Sequence, residues 1–259
     1  MRRVFAAIIL LLSTCINALI IQPSAYHHAL SGLSLINRHP SNSVLHCSLN
    51  SPGLESSITR VFNLEQLPYY NFHVNLHYQH LGFSSGISYL DNDLYQESQS
   101  RYALCYNFGN LSLGAGINFI KTKTTNYADQ SSLPMQFSFA WQEEIFSTVI
   151  SLHNPFSAQL ANLNLPRIIL WETCFSVSDE SKLSVGFEKE REFDFSLKLG
   201  SSYYLYKNFT ILCSYQYQPN RIGTGAIFHL NKMEICYAVR THDHLDLTHY
   251  ISLSYEIFN

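Results

Sequence analysis

The sequence predicts an all-β fold, an antiparallel transmembrane β-barrel of about 14 strands with a plug-like N-terminal segment. The first reason is the alternation within residues 71–80, where every second residue is apolar: Phe72, Val74, Leu76 and Tyr78. Successive side chains of a strand point to opposite faces, so this stretch predicts one apolar and one polar face. The second reason is that the alternation recurs roughly every dozen residues almost to the C-terminus, with no helical pattern of convincing length between.

Composition gives a third reason. Charged residues make up 14% of the chain, well below the roughly 25% of an average soluble domain. The polar faces of the predicted strands carry mostly Ser, Asn, Gln, His and Gly, which suits a lumen better than a soluble surface rich in Lys and Glu. A soluble β-sandwich is the alternative fold. Because a net charge of −3 gives no basic patch, no nucleic-acid partner is expected.

Residues 1–18 have the pattern of a secretory signal peptide. Two arginines precede an apolar run over residues 4–12, and small or polar residues follow up to Ala18. The mature chain is therefore predicted to begin near Leu19. No other stretch approaches the ~20 apolar residues that a membrane helix requires, so strands would have to make the crossing. Export and membrane-crossing strands together predict a bacterial outer-membrane location.

Residues 19–57 form the predicted plug-like segment. They lack a clean alternation and include Pro23, Pro40 and Pro52, so we expect irregular chain with one short helix near residues 29–36. A structureless segment of this length is uncommon in a compact domain unless it has a function. In a barrel, we expect such a segment to lie inside the lumen or across its periplasmic mouth.

The barrel itself is predicted to occupy residues 58–259. Its strands are expected near residues 58–66, 71–80, 82–90, 100–106, 110–120, 134–142, 145–153, 167–177, 182–188, 193–205, 207–217, 221–230, 232–241 and 247–257. An even number is typical of a bacterial outer-membrane barrel. The apolar sets within residues 135–141, 193–199 and 233–239 are predicted to face lipid. The longer connections near residues 121–133 and 154–166 are expected at one end, the extracellular one.

Cysteines, histidines and acidic residues give no pattern typical of a metal or catalytic site. Of the six cysteines, one lies in the predicted signal peptide, and the remaining five include no CxxC pair, so no structural disulfide is predicted. His73 and His77 share a strand face but would lie ~13 Å apart, too far to bind one metal ion. No GxSxG or similar nucleophile motif accompanies the acids expected in the lumen: Glu172, Glu188, Asp194 and Glu234. We therefore predict that the chain is not an enzyme and has no catalytic residues, metal or cofactor.

Two short motifs lie ahead of the first strand, Ala29–Gly32 and Asn50–Leu54, and a third pattern lies within residues 237–253. With the layout of a secreted segment ahead of about fourteen strands, they resemble the FadL-like outer-membrane proteins, including the PorV-like branch. Asn50–Leu54 is similar to the Asn-Pro-Ala-Gly-Leu element before the first strand of that superfamily. Residues 237–253 look like the final hairpin of PorV-like chains. The layout covers nearly the whole chain.

The resemblance implies one of two functions. FadL-like proteins take up hydrophobic small molecules, and PorV-like proteins act as scaffold components of type IX protein secretion. We expect the binding or translocation of hydrophobic small molecules, because apolar residues among polar ones in a lumen favour an amphipathic ligand. The predicted ligand-binding residues are His73, Asn75, His77, Leu170, Leu212 and Ile227. The expected partners are outer-membrane lipid, a hydrophobic ligand and, on the alternative hypothesis, secretion-system proteins.

Overall fold

The structure, a computed structural model, describes residues 24–37, 39, 52–60, 67–161, 163–242 and 247–257. The predicted signal peptide lies outside these residues. One helix, α1 (Ala25–Ala29), is present in the described part of the chain. No helix among these residues is long and apolar enough to cross a membrane.

Fourteen strands of the described chain form a barrel. They are β1 (Gly53–Arg60), β2 (Pro68–Tyr78), β3 (Leu81–Asp91), β4 (Tyr95–Phe108), β5 (Leu111–Thr124), β7 (Met135–Gln142), β8 (Phe146–His153), β11 (Ile168–Ser176), β12 (Ser181–Glu190), β13 (Ser196–Tyr206), β14 (Phe209–Tyr217), β15 (Arg221–Leu230), β16 (Met233–Arg240) and β17 (Thr248–Glu256). Three short strands lie in connections: β6 (Gln130–Ser132), β9 (Gln159–Leu160) and β10 (Leu163–Asn164). The predicted barrel of about 14 strands is confirmed.

Pairing between the first and last strands closes the sheet. Each barrel strand pairs antiparallel with the next one along the chain, and β1 pairs with β17, where Ser57 lies opposite Ser252. A closed sheet has no unpaired edge, so every strand can satisfy its backbone hydrogen bonds without water. This closure is what allows strands to cross a lipid bilayer.

The two faces of the strands divide as the alternation predicts, but the prediction that Phe193 faces lipid is wrong, because Phe193 lies in the connection before β13 and lines a cavity inside the barrel. On β7, Phe137 and Phe139 point outward and are 38% and 43% exposed, while Ser138 points into the barrel and is buried. On β13, Leu199 is exposed and Lys198 is buried. An apolar outer face is typical of strands that contact lipid.

The connections differ in length between the two ends of the barrel. The short turns at 79–80, 109–110, 143–145, 177–180, 207–208 and 231–232 share one end with the start of β1 and the end of β17. The long connections at 125–134 and 154–167 share the other end, as predicted. Because outer-membrane barrels keep their short turns in the periplasm, we call these the periplasmic and extracellular ends.

The first strand begins ahead of its predicted start at residue 58, because β1 runs over Gly53–Arg60. Its outward face includes the exposed polar residues Ser56 and Arg60 beside Ile58. Polar residues on both faces weaken the alternation on which the prediction depended.

The helix also lies earlier than predicted. Residues 29–36 were expected to be helical, but α1 ends at Ala29. Ser31 and Gly32 follow with φ angles of 52° and 89°. A left-handed backbone cannot continue a right-handed helix, so the chain turns at these two residues.

The prediction of no structural disulfide is wrong for Cys105, which is disulfide-bonded. Cys174, Cys213 and Cys236 form no disulfide, so the other half of the bond lies outside the described residues. The prediction depended on an odd count and on spacing along the chain, and neither detects a bond between distant segments.

Candidate functional site

The candidate site is a cavity of about 520 Å³ inside the barrel, at its extracellular end. Its floor is formed by the plug, the name used here for residues 24–37 and 39, through residues that include His27, His28 and Ser31. Its wall is formed by inward side chains of strands from β8 around to β16, excluding the short β9 and β10. The cavity therefore occupies one side of the lumen above the plug.

A buried carboxylate on β11 anchors the plug. Glu172 accepts hydrogen bonds from the backbone N–H groups of Ser34 and Leu35, both at 2.8 Å. It also accepts bonds from the hydroxyls of Ser34 and Ser184, at 3.0 and 2.9 Å. A buried charge is costly unless it is fully hydrogen-bonded. These bonds therefore stabilise the buried carboxylate and also hold the plug in place.

Glycines on the wall let the plug approach the sheet closely. A Cβ at Gly223 would lie 2.6 Å from the carbonyl oxygen of His28, and one at Gly200 would lie 2.6 Å from Cδ1 of Leu33. The backbone contact at Gly223 leaves no room for a Cβ, whereas a Cβ at Gly200 would require the Leu33 side chain to shift. The plug is thus packed directly against the barrel wall.

A second group of contacts holds the plug at the periplasmic end. His39 Nδ1 lies 2.8 Å from Oε2 of Glu55, and its Nε2 lies 3.5 Å from Oε2 of Glu234. The Tyr26 hydroxyl donates to the same Oε2 of Glu234 at 3.1 Å, and the Tyr26 and His39 rings stack at 3.6 Å. This group fixes residues near both ends of the described plug, Tyr26 and His39, and Glu172 fixes the segment at Ser34 and Leu35 between them.

The extracellular connection 154–167 folds over the barrel mouth. Asn154 donates to the carbonyl oxygen of Leu165 at 2.8 Å and accepts from the backbone N–H of Ala158 at 2.7 Å. Leu160 and Leu165 pack on the inward side chain of Ile120 from β5. This packed connection covers part of the mouth and contributes Pro166 to the cavity.

Basic residues line the cavity on β13, β15 and β16. Lys198 Nζ lies 2.6 Å from Oε2 of Glu188. Arg240 donates to Oε1 of Gln216 at 2.7 Å and to Nδ1 of His28 at 3.1 Å. Arg221 lies diagonal to Arg240 across the β15–β16 ladder, two positions from its direct partner Gly223. The basic residues therefore follow neighbouring strands on one side of the cavity.

Acidic and apolar residues line the cavity on β11, β12 and the connection from β12 to β13. Glu190 ends β12 and Asp194 lies in the connection to β13. Ile168 and Leu170 on β11, with Phe193 beside Asp194, supply apolar surface. The cavity thus combines charges of both signs with an apolar area.

The protonation state of His27 limits the positive charge of the floor. This residue belongs to the plug and not to a membrane-spanning strand. Burial lowers the pKa of His27 to about 3, and the positive charges of Lys198 and Arg240 act in the same direction. A histidine with such a pKa is neutral near pH 7, so the cations at the cavity are Lys198, Arg221 and Arg240.

The structure separates the six residues that the sequence predicted as ligand-binding. Leu170 lines the cavity. Leu212 and Ile227 are buried in the core that they form with plug residues such as Leu30. The plug therefore covers surface that the prediction assigned to a ligand.

The other three predicted residues lie on β2, away from this cavity. His73 is buried, with its Nε2 at 2.7 Å from Oγ of Ser84. Asn75 is also buried, and its Nδ2 lies 3.2 Å from Nε2 of His77. These contacts are hydrogen bonds within the protein, and a role in ligand binding is untested for all six residues.

Sequence analysis did not identify Arg240 or Arg221 as site residues. Arg221 is the first residue of its predicted strand and Arg240 lies one residue before the end of its own, at positions where alternation says little about direction. The one available signal is that Arg240 has the inward parity of Cys236 and Ala238, in a chain with few charges. Within the described residues, no group of three or more His, Cys, Asp or Glu side chains could hold a metal ion.

No protein-family model and no curated protein sequence matches the chain. Its fold is similar to the solved structure of the CymD monoaromatic hydrocarbon channel, with a TM-score of 0.70 and 9% identity over 93% of this chain and 99% of that one. It is also similar to a Pseudomonas aeruginosa FadL homologue, with a TM-score of 0.63 and 10% identity over 93% and 99% of the two chains. The chain thus has a FadL-like barrel fold, as the resemblance implied. These similarities give no support to the PorV-like branch.

Proposed function

We propose that this chain is an outer-membrane protein that binds small hydrophobic or amphipathic molecules in the lumenal cavity and passes them across the membrane. The observation that carries the proposal is a cavity of about 520 Å³ enclosed by a barrel with a lipid-facing apolar exterior. Small-molecule sites typically measure about 300–1,000 Å³ and combine apolar walls with a few polar groups. The cavity has this size and mixture.

Two further points support a binding or transport role over catalysis. Ile168, Leu170 and Phe193 provide apolar surface at the extracellular end, where a molecule from outside would arrive. The fold is also that of CymD, which is described as a hydrocarbon channel. Fold alone does not fix function, so the proposal depends on the cavity.

A matched pair of substitutions on β11 tests the proposal. Leu170 lines the cavity, while its neighbour Ile169 faces lipid and is 53% exposed. Leu170→Trp should fill part of the cavity and reduce the amount of hydrophobic ligand retained by the purified protein, measured by mass spectrometry of extracted small molecules. Ile169→Trp should retain as much as the unmodified protein. Equal retention by both variants would show that the cavity is not the binding site.

The same preparation tests the scaffold hypothesis. A component of type IX secretion should co-purify with stoichiometric protein partners through its extracellular connections. A preparation with such partners and no retained small molecule would replace the transport proposal with the scaffold one.

A further inference from the structure

The charges that line the cavity are balanced in number but separated in space. The lining includes three carboxylates, Glu188, Glu190 and Asp194, and three cations, Lys198, Arg221 and Arg240. Glu188 and Lys198 neutralise each other through their 2.6 Å ion pair. This leaves the carboxylates of Glu190 and Asp194, at β12 and its following connection, and the guanidinium group of Arg240 on β16.

Arg240 is a buried cation with no carboxylate beside it among the residues that the structure describes. Its side chain is 8% exposed, and its two hydrogen bonds go to the uncharged acceptors Gln216 and His28. Its Nε–H has no hydrogen-bond partner, and no described carboxylate lies within ion-pair distance of the group. A buried charge without a counter-ion is costly in free energy, so a ligand that places a negative charge beside Arg240 would be bound favourably.

The acidic side carries two carboxylates, of which Glu190 is partly buried and Asp194 is exposed. Neither carboxylate, of Glu190 or of Asp194, has a side-chain hydrogen bond or ion pair with another described residue. From β12 to β16, the strand of Arg240, there are four strand spacings, which corresponds to about 19 Å along the wall. Two opposite charges at this separation cannot pair directly. A ligand with a single charge can neutralise only one of the two sides.

We propose that the cavity selects dipolar amphiphiles, molecules with an acidic group and an amino group separated by an apolar chain. The acidic group binds at Arg240, the ammonium group binds at Glu190 and Asp194, and the chain contacts Leu170 and Phe193. This inference rests on the proposed function and specifies its ligand class. A molecule with one charge is attracted to one wall and repelled by the other. A dipolar molecule makes a favourable charge interaction with both walls.

Four compounds of one chain length test the inference: 12-aminododecanoate, dodecanoate, dodecylamine and uncharged dodecanol. Their affinities for the full chain in maltoside micelles at pH 7.5 are measured by calorimetry, with empty micelles as the partition control. We expect 12-aminododecanoate to bind about tenfold more tightly than either singly charged compound, since it makes one further charge-assisted contact.

Variants test which wall of the cavity binds each charged group of the ligand. Arg240→Gln should reduce binding of 12-aminododecanoate to the level of dodecylamine, and the double variant Glu190→Gln, Asp194→Asn should reduce it to the level of dodecanoate. Lys207→Gln, in an exposed periplasmic turn, is the control and should change nothing. Heat-modifiable migration on a gel identifies any variant that fails to form the barrel, and the double variant does not touch the plug.

The outcomes separate this inference from the proposed function. Equal affinity for all four compounds, or tightest binding of dodecanoate, would overturn the dipolar selectivity while leaving hydrophobic binding intact. If none of the four binds, dodecanol included, and no small molecule is retained on purification, both proposals are wrong.

Discussion

Glu172 is one of the residues that fix the plug. A carboxylate that accepts two backbone N–H groups and two hydroxyls has its hydrogen-bonding capacity well used, and it holds chain that has no regular secondary structure. Periodic contacts cannot stabilise such chain. A single anchor of this kind replaces them at Ser34 and Leu35.

Replacing Glu172 should loosen the plug. In Glu172→Ala, the backbone donors of Ser34 and Leu35 lose their acceptor, at about 1–3 kcal/mol for each buried donor left unpaired. We expect larger and more frequent ion-conducting openings in planar bilayers than the unmodified protein shows. Glu180→Ala, in an exposed turn beyond the same strand, is the control. Conductance unchanged by Glu172→Ala would mean that other contacts hold the plug.

At single residues, sequence analysis succeeded where the property was local. The direction of Phe137 or Lys198 follows from its position in the alternation, and the structure agrees. The covering of Leu212 and Ile227 by the plug does not follow, because the covering residues are more than a hundred positions away. Arg240 was missed for the same reason, since its place beside His28 depends on how the plug docks.

Among the elements, the barrel strands were predicted well because each carries its own signal. A period of two is readable within eight to ten residues, and a slip of one residue would turn every side chain to the wrong face. The signal failed at β1, where Ser56 and Arg60 place polar groups on the lipid side. It also failed for α1, which is too short to show a helical period.

A charged residue on the outer face of a strand should block assembly of the barrel. Phe139 lies in the middle of β7 and points outward. Phe139→Arg should cost about 2–4 kcal/mol at the bilayer midplane and reduce the yield of folded barrel in outer-membrane fractions. Phe139→Leu, which keeps the face apolar, should assemble normally. Full assembly of the Arg variant would show that this face does not contact lipid.

For the whole molecule, the decisive property is closure between the first and last strands. A soluble sandwich would leave edges and hide its apolar residues between two sheets. Here the described strands form one closed sheet whose apolar residues face outward. The alternative fold is therefore excluded by the pairing of β1 with β17.

Closure predicts a specific behaviour on gels. The protein should require detergent for extraction, and unheated samples should migrate differently from boiled ones because the closed sheet resists dodecyl sulfate until heated. Deleting β17 should abolish the difference by preventing closure. Recovery of the intact chain as a detergent-free monomer with no heat-dependent shift would contradict a membrane barrel.

The contact between the plug and the last strand also constrains the order of events during biogenesis. The backbone N–H of Ala25 donates to the hydroxyl of Ser252, 227 positions later in the chain. The segment that is synthesised first therefore reaches its final place only after the strand that is synthesised last. Contacts of such long range are slow to form. Until the plug docks, its apolar residues stay uncovered, so we expect this chain to need a periplasmic holding factor for longer than an unplugged barrel of equal strand number would.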